Sequence, residues 1–229
     1  AQNGSPREVS VMFQKEGLNA LVFDLGETYK QARVVTGDLT GDGELEVVVV
    51  HSQNWDVDPW DKAWKKSEDT LKVAAFLTSG QRLWTKDLGW GIEAGANYSP
   101  LVVWDIDADG CAEVLLKTNK SEDPLNYDSE RLTILDGKTG EIKSEAKWPS
   151  TEGLGNEYNS NSRNYIAIAH LDGKTPYIIV ARGLYFTQRI WAYDPELNLA
   201  WERVIGLDLQ PASGLMSRFR KLLRYDDSF

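Results

Sequence analysis

The sequence lacks several features that mark common classes of protein. Its one cysteine, Cys111, cannot form a disulfide within the chain. No apolar run approaches the length of a membrane-spanning helix, so the sequence predicts no membrane partner. Acidic residues outnumber basic ones and give a formal net charge of -10. A charge of this sign predicts that nucleic acid is not a partner.

Aromatic residues, by contrast, are plentiful, with nine tryptophans and nine tyrosines. Aromatic side chains line the cores of sheet proteins, and they also stack on sugar rings. Three tryptophans lie close together in the polar segment 51–70, at Trp55, Trp60 and Trp64. They predict either a surface that stacks on sugars or an anchor for that segment.

The most informative stretch is an acidic loop at residues 105–113, flanked by short apolar runs of strand character. Gly110 provides the backbone freedom that a sharp turn needs. Calcium takes roughly six to eight oxygen ligands in a flexible shell. The spacing predicts a strand–loop–strand calcium site with ligands from Asp105, Asp107, Asp109, the Cys111 carbonyl and Glu113. The alternative is a polar turn that binds no metal.

The same pattern occurs earlier in the chain, at residues 38–46, with threonine in place of the middle carboxylate. This copy predicts a second calcium site built from Asp38, Thr40, Asp42, Glu44 and Glu46. A third copy begins at His170, but Asp172 alone leaves it too few carboxylates to hold a metal. The three copies mark an internal repeat.

Each acidic loop is followed by a hairpin pattern, so each repeat contains four short strands. Tandem four-stranded units predict an all-β fold made of β-propeller blades, about three of them, within one domain over 1–229. The expected blades cover roughly 10–90, 91–150 and 151–205, and a helical or irregular tail covers 206–229. Three blades do not close a ring, so further blades or self-association are expected to cover the open edges.

Three polar insertions interrupt the repeats, at 51–70, 119–130 and 150–164. They are expected to fall at one place in the repeat and to project from one face. Binding surfaces grow on such loops.

The ordered set of motifs resembles rhamnogalacturonan lyases of polysaccharide lyase family 11, over roughly residues 30–203. The motifs that carry the resemblance are Gly37–Glu46, Arg82–Gly89, Gly95–Tyr98, Trp104–Gly110, Lys117–Thr118, Asp136–Gly140, Tyr165–His170 and Ala181–Tyr185. The resemblance implies a calcium-binding β-propeller, secreted or periplasmic, that cleaves rhamnogalacturonan by β-elimination. Ulvan lyases, which are also propellers, are a close alternative.

The resemblance also places candidate residues for binding an acidic polysaccharide. Asn97 and Tyr98 stand in a motif where the family carries histidine at the position of Asn97. Trp55 and Trp60 are the candidates for sugar stacking. The rival interpretation is a non-catalytic propeller module that calcium stiffens and that binds carbohydrate or protein. A further alternative is a fragment of a lyase.

A uronate lyase removes the proton at C5 and expels the oxygen at C4, after the carboxylate has been neutralised. His51 is a candidate base because it directly follows a blade strand, where an insertion begins, and because histidine ordinarily titrates near neutral pH. The alternative is a loop histidine with a local hydrogen bond. Lys117 is a second candidate base if its pKa is lowered. Arg182 is a candidate for holding the substrate carboxylate, with a structural salt bridge as the alternative. Tyr185 is a candidate acid, with core packing as its alternative.

Overall fold

The computed structural model describes residues 10–15, 18–23, 32–53, 68–95, 98–154, 158–183 and 187–205. These residues form one two-stranded and three four-stranded sheets, all antiparallel, so the prediction of an all-β fold made of blade-like sheets is confirmed. The only helices within these ranges are α1 (Tyr158–Ser162) and a 3₁₀ helix at Tyr127–Ser129. No helix among them is long and apolar enough to cross a membrane.

The strands follow the chain in order within every sheet. The two-stranded sheet pairs β1 (Ser10–Lys15) with β2 (Leu18–Phe23). Blade 1 contains β3 (Ala32–Gly37), β4 (Glu46–His51), β5 (Lys72–Phe76) and β6 (Arg82–Asp87). Blade 2 contains β7 (Leu101–Trp104), β8 (Glu113–Asn119), β9 (Glu130–Leu135) and β10 (Ile142–Lys147). Blade 3 contains β11 (Asn164–Ala169), β12 (Tyr177–Arg182), β13 (Gln188–Tyr193) and β14 (Leu199–Ile205).

The second strand of blade 1 is covered on both faces. All six residues of β4, Glu46–His51, are buried. In β8 and β12 the buried residues include Val114, Leu115 and Val180. The continuous apolar run of β4 is typical of a buried strand, in contrast to strands along which apolar and polar residues alternate.

The blades pack face to face through two apolar clusters. The first joins blades 1 and 2 and includes Val48, Val73, Val103 and Leu116. The second joins blades 2 and 3, where Ile134 meets Ile178 and its neighbours. The first strands β3, β7 and β11 are neighbours in space, so they are the inner strands of the blades. The arrangement is radial, as in a propeller.

Strand direction divides the blades into two ends. The acidic loops and the hairpin turns at 77–81, 136–141 and 194–198 all lie at one end, called here the loop end. The segments 51–70, 119–130 and 148–163 leave the strands at the other end, called the insertion end. The prediction that the three insertions fall at one place in the repeat is therefore only partly correct. The first two segments lie between the second and third strands of a blade, whereas the third joins two blades.

Candidate functional site

The acidic loop of blade 2, residues 105–112, brings three carboxylates together. Oxygen atoms of Asp105, Asp107 and Asp109 all lie within 4.8 Å of one another. The loop is held by its own backbone, because Asp105 accepts N–H bonds from Asp109 at 3.1 Å and from Gly110 at 3.0 Å. Gly110 has a φ of 90°, a left-handed conformation that favours glycine. Three converging hard oxygen donors fit a calcium ion.

Glu113, at the end of this loop, is bonded within the chain, and its predicted role as a metal ligand stays a prediction. Its Oε2 accepts the Ile106 N–H at 3.0 Å, and its Oε1 accepts a bond from Lys143 Nζ at 2.6 Å. The side chain is buried, and burial raises its pKa. Glu113 therefore closes the loop through the backbone and lies outside the group of three carboxylates. The Cys111 carbonyl remains a predicted ligand.

The loop of blade 1, residues 38–45, has the same backbone pattern. Asp38 accepts N–H bonds from Gly41 at 2.6 Å and from Gly43 at 2.9 Å. Glu46, the counterpart of Glu113, accepts the Leu39 N–H at 2.6 Å and also bonds to both the N–H and the hydroxyl of Thr40.

The two remaining predicted ligands of blade 1 also have partners in the chain. Asp42 accepts the Glu44 N–H at 2.8 Å, and the Glu44 carboxylate accepts the Thr78 hydroxyl at 2.6 Å. Within the part of the chain that the structure describes, this loop does not form a group of three converging carboxylates. Its predicted calcium site is therefore the weaker of the two.

The third copy satisfies its one carboxylate internally. Asp172 accepts bonds from the N–H groups of Thr175 and Lys174 and from the Thr175 hydroxyl, at 2.7, 2.8 and 2.8 Å. These bonds lower the pKa of Asp172 to about 2. His170 packs edge-on against Trp104, with ring centroids 6.0 Å apart. The loop of blade 3 therefore forms a turn like those of blades 1 and 2, but among its described residues it has no group of converging carboxylates.

At the insertion end, Glu130 joins two of the predicted catalytic residues. Its Oε1 accepts a bond from Lys117 Nζ at 3.0 Å, and its Oε2 accepts one from Arg182 Nη2. All three side chains are buried, with exposed fractions of 5% for Lys117, 2% for Glu130 and 0% for Arg182. The network ties β8 and β9 of blade 2 to β12 of blade 3.

The guanidinium of Arg182 donates a hydrogen bond within the chain from each of its three nitrogens. Besides Glu130, it donates from Nε to the Asn161 carbonyl and from Nη1 to the Pro149 carbonyl, both at 2.6 Å. Its carbon lies 4.9 Å from the centre of the Tyr127 ring. Arg182 was a candidate for holding a substrate carboxylate, with a structural salt bridge as the alternative, and its contacts in this structure are those of the salt bridge.

Lys117 has the lowered pKa that a lysine base requires. Burial lowers this pKa, and Arg182 lowers it further, while the charge of Glu130 opposes the shift. The ammonium also lies 5.9 Å from the centre of the Trp148 ring. The same burial separates Lys117 from solvent in the described chain.

His51 belongs to a separate group of charges in blade 1. Its side chain is buried, and its pKa is lowered by burial and by the charge of Lys72, against the opposing charges of Asp69 and Asp87. Lys72 pairs with Asp69 at 2.7 Å. The structure therefore brings Lys117 and Arg182 together through Glu130 and gives His51 different charged neighbours.

The remaining predicted substrate residues divide into two groups. Tyr98 is buried and meets Tyr158 edge-on, with ring centroids 5.5 Å apart. The others lie outside the described residues: Trp55, Trp60, Trp64, Asn97 and Tyr185. The sequence analysis missed Glu130 and Lys143. The available signal for Glu130 was indirect, since two buried cations require a nearby buried acid.

Known proteins match this chain over most of its length. Residues 23–124 match the rhamnogalacturonan lyase family 11, C-terminal domain. The chain is a distant homologue of the family 11 rhamnogalacturonan lyases. It is 30% identical to the rhamnogalacturonan endolyase YesW of Bacillus subtilis (strain 168) over 207 residues, covering 76% of this chain and 32% of the relative. It is 29% identical to the rhamnogalacturonan exolyase YesX of the same organism, covering 73% and 31%.

Solved structures of family 11 lyases have the same fold over this region. The crystal structure of exotype YesX superposes with a TM-score of 0.66 at 28% identity, covering 79% of this chain and 34% of the YesX chain. The Bacillus licheniformis rhamnogalacturonan lyase PL11 gives a TM-score of 0.64 at 26% identity, covering 76% and 34%. The chain thus spans about a third of the length of the family 11 proteins that it matches.

Proposed function

We propose that this chain forms part of a calcium-dependent polysaccharide lyase that cleaves rhamnogalacturonan by β-elimination. The observation that carries the proposal is the similarity to an endolyase and an exolyase of this polysaccharide across three quarters of the chain. The proposed protein is secreted or periplasmic, because its polymeric substrate is met outside the cytoplasm. The proposed partner is the acidic polysaccharide itself.

The proposed role of calcium is structural. Asp105, Asp107 and Asp109 lie at the loop end, whereas Lys117 follows Glu113 by four residues along β8, about 13 Å away at strand spacing. A calcium ion at the loop would supply positive charge that balances the three carboxylates and fixes the turn. The neutralisation of a substrate carboxylate at the insertion end then falls to protein cations.

The proposed chemistry at the insertion end requires a base for the C5 proton. Lys117 meets one requirement in part, since burial lowers its pKa in the direction that a lysine base needs, while the charge of Glu130 opposes the shift. His51 meets the same requirement, since its lowered pKa favours the neutral imidazole. Both are buried in the described chain, so a substrate reaches either of them only if neighbouring segments move.

A second candidate function is a non-catalytic, calcium-stiffened module that binds polysaccharide. The observation that favours it is the state of Arg182, whose hydrogen-bond donors are directed at Glu130, Asn161 and Pro149. An arginine that is fully buried and bonded in this way is not presented to a uronate carboxylate.

One experiment distinguishes the two functions. The protein is incubated with rhamnogalacturonan, and in parallel with ulvan, in the presence of calcium, while the ultraviolet absorbance of the unsaturated uronyl product is followed. Binding is measured separately by affinity electrophoresis. Rising absorbance supports the lyase, and the length of the products separates endo from exo action. Binding without absorbance supports the module, and the absence of both signals contradicts cleavage and binding by this chain alone.

A further inference from the structure

Blade 2 contains a lysine at a position where the other blades have an apolar residue. The last two strands of every blade pair through a bulge, which leaves one extra residue on the outer strand. The extra residue is Leu83 in blade 1, Lys143 in blade 2 and Ala200 in blade 3. Among the three blades, the lysine therefore accompanies only the loop that gathers three carboxylates.

The ammonium of Lys143 sits among the acids of that loop. It lies 2.7 Å from Asp107 Oδ2, 2.6 Å from Glu113 Oε1 and 3.9 Å from Asp109 Oδ2. The side chain is 36% exposed, so these contacts are only partly screened by water. Partial burial alone would lower the pKa of Lys143, but the bonds to Asp107 and Glu113 outweigh it and raise the pKa.

The two loops show why blade 2 contains this lysine. In blade 1 the buried Glu46 receives bonds from Leu39 and from both the N–H and the hydroxyl of Thr40. In blade 2 the third loop position is Asp107, which has no side-chain donor when it is ionised. Glu113 is bonded instead by Lys143, which also offsets the charge of Asp107.

We infer that Lys143 is a built-in competitor for the divalent cation of this loop. The inference rests on the proposed calcium site and adds a residue that sets its affinity. The ammonium is bonded to Asp107, one of the three residues whose carboxylates converge in this loop. A divalent ion must either displace the ammonium or bind beside a like charge, and both weaken binding. Without a cation, Lys143 holds the loop in its folded shape.

The size of the effect follows from charge and distance. A unit charge about 6 Å from a divalent cation in a water-like medium weakens binding by about tenfold. Lys143→Leu, which copies the residue of blade 1, is therefore expected to bind calcium about tenfold more tightly. The same variant is expected to melt at a lower temperature than the parent in chelator, because Glu113 loses a donor and the acids repel one another. With calcium bound, Lys143→Leu is expected to melt at a higher temperature than the parent.

The test is calorimetric titration of the whole protein with calcium chloride after chelator treatment, at constant ionic strength. Asp107→Ala assigns the heat of binding to this loop. Lys143→Gln replaces Lys143→Leu if the leucine variant does not fold in chelator. Lys120→Leu is the matched control, because it removes an exposed lysine that pairs with Glu145 on the same blade. It is expected to leave the affinity within about twofold.

Each result has a definite meaning. Tighter binding in Lys143→Leu or Lys143→Gln, with no comparable change in Lys120→Leu, supports the inference. Equal affinity in the parent and in both Lys143 variants overturns it and leaves the calcium site standing. Absence of calcium binding in the parent and in both Lys143 variants overturns the calcium site and the inference together.

Discussion

The two ends of the blades treat their charged residues in opposite ways. At the loop end, the carboxylates of Asp105, Asp107 and Asp109 converge, and Asp107 and Asp109 are exposed while Asp105 is half-buried. At the insertion end, Glu130 lies between Lys117 and Arg182 with almost no exposed surface. The loop end therefore has a local excess of negative charge that an added cation can offset, whereas each charged member of the buried network is paired within the chain.

This difference suggests that the charges of the loop end bind a ligand, whereas those of the insertion end hold the blades together. A buried ion pair is costly to break, because removing one partner leaves the other uncompensated in a medium of low polarity. An exposed acidic cluster costs little in the absence of a ligand, because water screens it. Substitutions at the insertion end should therefore act on folding, whereas those at the loop end should act on the response to calcium.

The largest expected effect is that of Glu130→Ala. The substitution leaves the buried cations Lys117 and Arg182 without their shared carboxylate, which should lower the free energy of unfolding by about 3–5 kcal/mol. Urea denaturation followed by tryptophan fluorescence measures it. Glu145→Ala is the control, since this acid pairs with the exposed Lys120 and should cost about 1 kcal/mol or less. Similar losses for the two variants would contradict the structural role of Glu130.

The next largest effect is the response to calcium. If the ion binds only the folded protein, a hundredfold excess over its dissociation constant should stabilise the fold by about 2.7 kcal/mol. Melting curves with and without chelator measure the shift. Asp107→Ala should lose most of it, whereas Asp172→Ala, in the third copy, should retain it. Melting curves that coincide with and without chelator for the unaltered protein would show that calcium does not stabilise the fold through the loop end.

Local sequence was sufficient to predict the acidic loops. Their hydrogen bonds run within nine residues, and the same spacing of acids and glycines gives the same turn in blades 1 and 2. The hairpins were predicted for the same reason, since β5–β6, β9–β10 and β13–β14 pair neighbouring segments. The four-stranded sheets follow from these local units.

The surroundings of the predicted catalytic residues depended on contacts between distant segments. Arg182 stands at a strand end, which suggested an open position, but the acid that it meets is 52 residues away in another blade. Glu130 begins a strand beside charged residues and reads as a solvated side chain. From the sequence, the position of Glu113 was compatible with a role as a metal ligand. The structure shows that Lys143, on the outer strand, points towards Glu113 and bonds to it. Periodicity does not report such pairings.

A smaller effect is expected where the loop end joins two blades. Trp84 of blade 1 donates from Nε1 to the Gly137 carbonyl in the hairpin turn of blade 2, at 2.8 Å. Trp84→Phe leaves that buried carbonyl without this donor and should cost about 1–3 kcal/mol, near the lower value if water replaces it. Chemical denaturation measures the loss, with the exposed Trp201→Phe as the control. Equal stability of the two variants would show that this bond does not hold the blades together.

The smallest expected effect concerns acid pH and the third copy of the loop. Three hydrogen bonds, led by the Thr175 N–H, lower the pKa of Asp172 from 3.8 to about 2. Because the folded pKa lies below the unfolded one, the ionised carboxylate stabilises the fold above about pH 4. That contribution should be lost as the pH falls through the interval down to about 2.

The measurement is an NMR titration of the Asp172 side-chain carboxyl. Thr175→Val removes one donor and keeps the two backbone donors, so the pKa of Asp172 should rise part of the way towards 3.8 and the acid unfolding curve should move slightly. A titration near 3.8 in the unaltered protein would mean that the third loop is not closed by its own hydrogen bonds. Asp172 would then be an exposed acid without these bonds, and the third loop would not differ in this respect from a simple polar turn.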